Sequence, residues 1–305
     1  MANNSRSELY TVEFSDMLQL LSQQMKSRLR GLVMTGTHTG KQASPVEFTG
    51  SSSVFQRSTR GETKTIAETD HTRRYVNPIS WSTPSDIVDS FDNMRTKLDP
   101  TSNYSRAQVA AHMRQMDDQI IASFFDDAIT GETASGTTSF DSANVVAVGS
   151  ANFTLAKILE AKQLLMQNEV DMDDPETVVG MAITPDQYTK FVQISEVSNS
   201  DFGNTVFDKD GRVTKWNGID IVISNRLTDA AGILASTNPG ASATREIPMW
   251  AKSGMHLGLW EDIRGKVVTD ESRDRDPLLV TTYSTFGATR TEEAKVIKII
   301  VDETA

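Results

Sequence analysis

Gly287-Ala288-Thr289-Arg290-Thr291-Glu292-Glu293-Ala294-Lys295-Val296-Ile297-Lys298-Ile299 is the stretch on which the reading of this 305-residue chain turns. Its first part mixes small and charged residues, and its second part is a β-branched run suited to a buried strand. The spacing predicts two long closing strands, 278–289 and 295–301, joined across a short polar turn. Working back, Trp250-Ala251-Lys252-Ser253-Gly254-Met255-His256-Leu257-Gly258 reads as one strand with a small-residue centre. Trp260-Glu261-Asp262-Ile263 and a charged crossing over 270–276 lie between it and the closing pair.

The middle of the chain reads as mixed α/β. Asn217-Gly218 is the strongest short hairpin signal, because both central positions of a type I′ turn need positive φ. It is flanked by expected strands over 212–216 and 219–224. Thr177 to Ile183 suits a buried strand, and Pro185 opens a short helix through Ile194. A helix over 155–168 follows a strand-like 144–148, and 230–244 is a small-residue loop without periodicity. The longest helix is expected over 105–129. Val109, Met113, Met116, Ile120 and Phe124 form its stripe, and Ile121 and Phe125 widen it. Ser102 or Asn103 is placed to cap its start, and Gly131 lies past its end. At about 25 residues it would span nearly 40 Å, long enough for a structural spine.

Nearer the N-terminus, Phe14, Leu18, Leu21, Met25, Leu29 and Leu32 recur at helical steps, which predicts an amphipathic helix over 14–32. That stripe packs either on its own domain or on a neighbouring subunit. Between 35 and 85, glycines and hydroxyl residues separate short strand-like pieces (45–49, 54–57, 64–67 and 73–81). Lys41, Arg57, Arg60, Lys64, Arg73 and Arg74 alternate there with Glu47, Glu62, Glu68 and Asp70. The segment is too poor in large apolar residues to form a core by itself, so it reads as an extended two-stranded arm held by something else.

Composition narrows the function. Hydrophobic residues make up 38%, lean but sufficient for a sizeable core in a chain of this length. The absence of cysteine excludes disulfides, thiolate metal sites and cysteine nucleophiles. The polar first ten residues hold no signal-peptide core, and no apolar run reaches membrane-spanning length, so a soluble protein made in a cytoplasm is expected. A net charge of −11 argues against tight, direct DNA binding, which needs a surplus of Lys and Arg on phosphates. It suits solubility, or the inner wall of a container that must not hold a polyanion.

Signatures of catalysis fail one after another. Gly36-Thr37-His38-Thr39-Gly40-Lys41 is one residue short of a phosphate-binding loop, has Gln42 in place of the magnesium-binding hydroxyl, and follows a helix rather than a strand. Asp208-Lys209-Asp210-Gly211 opens like a calcium loop but lacks the distant bidentate Glu, so a tight turn is the better reading. Asp171, Asp173, Asp174 and Glu176 form an acidic turn able at most to take a cation opportunistically. The histidines, His38, His71, His112 and His256, show no metal-ligand spacing, and His112 reads as a flank residue of the long helix. No GxSxG elbow precedes a helix. Asp117-Asp118 and Asp126-Asp127 are adjacent helical pairs that diverge by about 100°, which suits a polar face better than an acid–base dyad. No catalytic, cofactor-binding or metal residue is assigned.

The C-terminal Gly-Ala-Thr-Arg followed by acidic residues and a last strand resembles the end of tailed-bacteriophage major capsid proteins. Trp216-Asn217-Gly218-Ile219-Asp220-Ile221-Val222-Ile223-Ser224-Asn225-Arg226-Leu227 is similar to their apical-domain strand. Ala182-Ile183-Thr184-Pro185-Asp186-Gln187-Tyr188 resembles their strand, Pro, short-helix step. The resemblance covers nearly the whole chain, since the order of helix, arm, long helix and mixed α/β matches as well. It implies an α+β fold of the HK97 type: an N-terminal arm (1–34), an extended β-loop (35–85), a peripheral domain with the spine helix (86–175), a mainly apical segment (176–248), and C-terminal strands completing both (249–305). It further implies a non-enzymatic shell protein of the virion, assembled in the bacterial host cytoplasm into pentamers and hexamers of an icosahedral shell around double-stranded DNA. The expected partners are other copies of itself, a separate scaffolding protein, a portal, and in some cases a decoration protein. Packaged DNA would be touched weakly and non-specifically, and no membrane is involved. Intersubunit contacts are expected at Arg57, Arg60, Lys64, Arg73, Arg74, Phe14, Leu18 and Met25. Lys41 and Lys64 lie where some relatives crosslink, without a nameable partner. The nearest rival is an encapsulin-like nanocompartment shell; a more distant one is a cytosolic enzyme using acidic residues.

Overall fold

A computed structural model describes residues 21–50, 54, 60, 71–88, 101–149, 152–172, 174, 176–194, 197, 213–227, 244–273 and 276–303. In chain order the strands and helices are β1 (Met34–Thr37), β2 (Ala43–Thr49), β3 (His71–Val76), β4 (Ile79–Ser82), β5 (Asp86–Val88) and α1 (Thr101–Phe125). Next come β6 (Ala128–Thr130), β7 (Gly136–Thr138), β8 (Val145–Val146), α2 (Leu155–Gln167), β9 (Val179–Ile183) and α3 (Pro185–Gln193). Then follow β10 (Lys215–Trp216), β11 (Ile219–Ile223), β12 (Thr244–Ala251), β13 (Met255–Thr269), β14 (Leu278–Arg290) and β15 (Val296–Asp302).

The chain divides into two compact units. The larger takes the described residues of Ser27–Ser80, Arg114–Asp262 and Thr285–Ala305. Its main sheet runs β10-β11-β9-β12-β15-β8. β9 is buried along its whole length, as the apolar run from Val179 to Ile183 predicts for a strand covered on both faces. β15 sits between antiparallel β12 and parallel β8, with Ile297, Ile299 and Val301 in the core. The hairpin between β10 and β11 turns at Asn217 (φ 49°) and Gly218 (φ 83°), as the Asn-Gly pair requires. α3 starts on a complete capping box: the Thr184 hydroxyl accepts from Gln187 N–H, and the Gln187 side chain accepts from Thr184 N–H.

A second sheet in this unit has the order β2-β3-β6-β7. β2 and β3 are antiparallel, Glu47 opposite Arg73 and Thr49 opposite His71. Of the expected arm strands, 54–57 and 64–67 lie outside the described residues apart from Val54. β1 pairs in parallel with β13, from Met34 opposite His256 to Thr37 opposite Leu259.

The smaller unit takes the described residues of Met1–Lys26, Trp81–Met113 and Ile263–Ser284. β5 pairs antiparallel with β14 there, Leu278 opposite Val88. Among its described residues, buried polar groups stand beside the buried Val88, Ala110 and Val280. Gln108 donates through Nε2 to Asp86 Oδ2 at 2.6 Å and to the Val280 carbonyl at 3.0 Å. His112, read as a flank residue, is 3% exposed and bridges Ser284 Oγ (2.7 Å) and the Thr282 carbonyl (3.2 Å).

Several boundaries depart from expectation, and the expected piece 73–81 is two strands, β3 and β4. Residues 21–32 are not α-helical; they end in a short 3-10 turn at Arg30–Leu32. The cause is tertiary: the Asp117 carboxylate takes the backbone N–H groups of Arg28 and Leu29, so the segment is capped from outside rather than by its own ladder. The long helix is Thr101–Phe125, so Ser102 and Asn103 lie inside it and Ile129 belongs to β6. Gly131 is the turn residue between β6 and β7, with φ 99°. Finally, 250–258 is two strands, β12 and β13, broken by a 3-10 turn at Lys252–Gly254.

Candidate interaction surfaces and the charged anchors beneath them

The quoted C-terminal motif is a knot at the centre of the larger unit. Arg290 is 1% exposed and donates to the carbonyls of Phe124 (2.8 Å) and Asp126 (2.9 Å), which satisfies the carbonyl end of α1. It also reaches the Thr138 carbonyl at 3.3 Å and lies 5.2 Å over the Phe140 ring. Burial pulls its pKa down, against the charge of Glu293, and a guanidinium stays charged regardless. Thr291 donates its hydroxyl to the Ser253 carbonyl at 2.7 Å, and its N–H to Gly254 O at 2.9 Å. Gly287 has no room for a side chain, since a Cβ would come 2.1 Å from the Asn77 carbonyl oxygen.

Arg74, expected at a subunit contact, belongs to this knot instead. It is 8% exposed and donates to Thr291 O (2.9 Å), Thr138 Oγ1 (3.2 Å) and Glu293 Oε2 (2.7 Å). All three of its guanidinium nitrogens are engaged inside its own subunit, and its side chain is too buried to reach a neighbour. Glu293 is therefore the counter-ion for two buried arginines, since its other oxygen is 3.5 Å from Arg290 Nε.

Of the two aspartate pairs, Asp117-Asp118 departs from the polar-face reading, whereas Asp126 and Asp127 lie just past α1 and are exposed. Asp117 is 0% and Asp118 9% exposed. Asp117 accepts from Ser27 Oγ at 2.6 Å as well as from the two backbone amides. Asp118 holds Arg226 in a bidentate ion pair, and that hydrogen bond raises the arginine's pKa. Asp126 lines a cavity of about 220 Å³ with Asp127, Gln119, Ser123, Tyr75 and Arg290. Burial, and then the charge of Asp127, raises its pKa. Among the described residues no three His, Asp or Glu side chains converge as a metal site.

Of the other expected contact residues, Phe14, Leu18, Arg57 and Lys64 lie outside the described residues. Arg60 is exposed, and Met25 is 43% exposed. Arg73 points outward from the β2–β3 pair and meets Glu47 at 2.8 Å, both half-exposed, so the pair contributes at most about 1 kcal/mol. One surface has no counterpart in the sequence reading. Leu159 and Met166, exposed at 44% and 51%, stand seven residues apart on α2, away from its buried Ile158, Ala161 and Leu165. The sequence signal was a second apolar row beside the core row.

Residues 7–303 match the family described as phage capsid protein. No curated protein matches the sequence. Among solved structures, the capsid of cyanophage P-SCSP1u is similar with a TM-score of 0.69 at 19% identity, covering 98% of this chain and 95% of that one. Mycobacterium phage Che8 gives 0.67 at 14%, covering 98% of each chain. The capsid of the native GTA particle gives 0.69 at 11%, covering 99% and 100%. These similarities carry the α+β, HK97-like fold expected above.

Proposed function

Because the chain belongs to the phage capsid protein family, a family of structural rather than catalytic proteins, we propose that its work is to close a shell from many copies of itself. The observation that carries this reading is the family match over residues 7–303, reinforced by capsid structures that align along almost their full length. In this reading the protein is the major capsid protein of a tailed phage, forming pentamers and hexamers around double-stranded DNA after assembly in the host cytoplasm. The N-terminal arm (1–34) and extended loop (35–85) reach a neighbouring subunit. Residues 86–175 form the peripheral part and 176–248 the apical part, with 249–305 completing both.

The intersubunit assignment keeps Phe14, Leu18, Met25, Arg57, Arg60, Lys64 and Arg73, moves Arg74 to the interior, and adds Leu159 and Met166. Exposed ion pairs are individually worth about 0–1 kcal/mol, but a closed shell repeats each one in every subunit. A chain of net charge −11 lines the container without gripping the genome, which is contacted through screened charge. A scaffolding protein, a portal and a decoration protein are the further partners this reading implies.

The test is electron microscopy of particles formed by the chain with its scaffold present, with absorbance at 260 and 280 nm on the same fraction. Icosahedral shells carrying DNA are expected. Protein-filled shells would instead indicate a nanocompartment, and small oligomers alone would overturn the shell reading.

A further inference from the structure

Two histidines 218 positions apart meet where β1 joins β13. His38 Nε2 and His256 Nε2 are 2.8 Å apart, and their ring centroids are 5.1 Å apart. The ring of Trp260 packs on His38 with centroids at 5.4 Å. Glycine makes the space. A Cβ on Gly36 would lie 2.9 Å from the His256 ring, and one on Gly258 would lie 2.9 Å from His38.

At 2.8 Å one ring must donate and the other accept. His256 is 5% exposed, and its Nδ1 is buried with no hydrogen-bond partner. A buried N–H without an acceptor is the rarer and costlier defect, so His256 carries its proton on Nε2 and donates it to His38 Nε2. His38 then holds its own proton on Nδ1. An added proton finds no good place. On His38 it occupies Nε2 and sets donor against donor; on His256 it occupies Nδ1, where nothing accepts it.

We propose that this pair is a proton-operated latch: with both rings neutral it holds residues 34–40 against β13, and a proton on His38 Nε2 releases them. The segment it fastens is short. It comprises the four register pairs of β1, the His38 N–H to Leu259 O bond (2.9 Å), and the Trp260 Nε1–H to Gly40 O bond (2.8 Å). Residue 40 leads directly into β2, so release loosens the root of the β2–β3 arm while leaving that pairing intact.

Burial lowers the pKa of both histidines, and burial together with the charge of a protonated His38 takes His256 to about 4. The charged groups on the surrounding elements are turned to other partners. Asp262, on the same face of β13 as His256, pairs with Arg30 at 3.0 Å. On β3, Arg74 is held by Glu293, and on β14 Arg290 is held by the end of α1. β1 has no titratable side chain, and Lys41 is exposed beyond it. Lys252 stands on the 3-10 turn before β13. Among the described residues no carboxylate thus stabilises an imidazolium here, and the latch responds to protons through desolvation and donor–acceptor mismatch.

The latch does not depend on shell formation, so its test uses the full-length unassembled chain. Hydrogen–deuterium exchange at pH 7.5 and pH 4.5, corrected for intrinsic rates, reads the protection of residues 34–40. At pH 4.5 those amides are expected to exchange at least about tenfold faster, with β12 and β15 nearly unchanged, and His38→Gln and His256→Gln should each abolish the step. Unchanged protection in the wild type, or the same acceleration in both variants, would overturn the proposal. Should either variant fail to fold, imidazole 15N shifts of the wild type decide. Nδ1–H on His38 and Nε2–H on His256 at pH 7.5 are expected. Ordinary protonation of both rings near pH 6.5, with residues 34–40 still protected, would refute it.

Discussion

Replacing Glu293 with alanine tests whether one carboxylate holds the C-terminal knot together. In the wild type it neutralises Arg74, whose side chain is 10% exposed, and leans on Arg290, whose side chain is 0% exposed. Both guanidiniums keep their carbonyl acceptors in Glu293→Ala, so hydrogen bonding is largely retained. What disappears is the only carboxylate paired with either of them among the described residues. Removing one partner of a buried ion pair costs about 3–5 kcal/mol, because the remaining charge stays desolvated. Two arginines share this counter-ion, which places the expected loss at or above about 3 kcal/mol by the same reasoning. Urea unfolding of the unassembled subunit provides the assay. Trp250 is fully buried and packs 4.5 Å from Phe124, so its fluorescence reports directly on this region. With a urea dependence of about 3 kcal/mol per molar, the midpoint should fall by about 1 M or more. Arg74→Met alone should cost less, because Glu293 then serves Arg290 undivided. Arg74→Met combined with Glu293→Gln should cost less than the sum of the two single changes. A loss below about 1 kcal/mol in Glu293→Ala would mean that carbonyls and water suffice for both guanidiniums, and the counter-ion argument would be wrong.

Three further outcomes follow from other contacts. Gly287→Ala drives a methyl group against the Asn77 carbonyl and should lower stability by about 1–3 kcal/mol or more in thermal unfolding, while Gly31→Ala, with open space around it, should be close to neutral. Asp117→Ala removes the acceptor of Ser27 and of two backbone amides, so limited trypsin digestion should cut after Lys26, Arg28 or Arg30 markedly faster than in the wild type. Stability should also fall on acidification. The folded pKa of His256 lies below its unfolded value, so the unfolded chain takes up the proton first; stability is intact above about pH 6.5 and declines until pH reaches about 4, by as much as about 3 kcal/mol. Asp126 acts in the opposite sense, because its raised pKa favours proton uptake by the folded state. Subtracting the urea curves of His256→Gln isolates the histidine part, and a difference that does not vary with pH would exclude it.

What the sequence made legible was local. Asn217-Gly218 names its turn because only that backbone geometry joins β10 to β11. Thr184, Pro185 and Gln187 specify a helix start within four residues, the apolar run of β9 declares burial along its whole length, and the β-branched run of β15 declares a core strand. The hidden part is what long-range partners do to polar residues. Asp117 and Asp118 look like a solvated helix face until Ser27 and Arg226 arrive from 90 and 108 residues away. Arg74 looks like one more cation in a basic arm, and only Glu293, 219 positions later, makes it a core residue. His112 looks like a flank residue for the same reason, since Ser284 and Thr282 come from a distant strand. The family resemblance was legible in the Gly-Ala-Thr-Arg motif without its reason being so. The reason is steric at Gly287 and electrostatic at Arg290.

The same knot sets a timetable for the chain as it is made. β9 and β12 can pair before β15 exists, yet β15 lies between β12 and β8, and the carbonyl end of α1 waits for Arg290. The ties of Arg290 to Phe124, Asp126 and Thr138, of Thr291 and Glu293 to Arg74, and of Glu293 to Asn144 all reach back across more than a hundred residues. Closing such loops costs entropy before any contact repays it, so the larger unit folds late and nearly all at once. A ribosome that has released the first 280 residues holds a chain with its central sheet still missing a strand. Nascent copies crowded on one message therefore have no completed main sheet to offer each other until β15 has emerged.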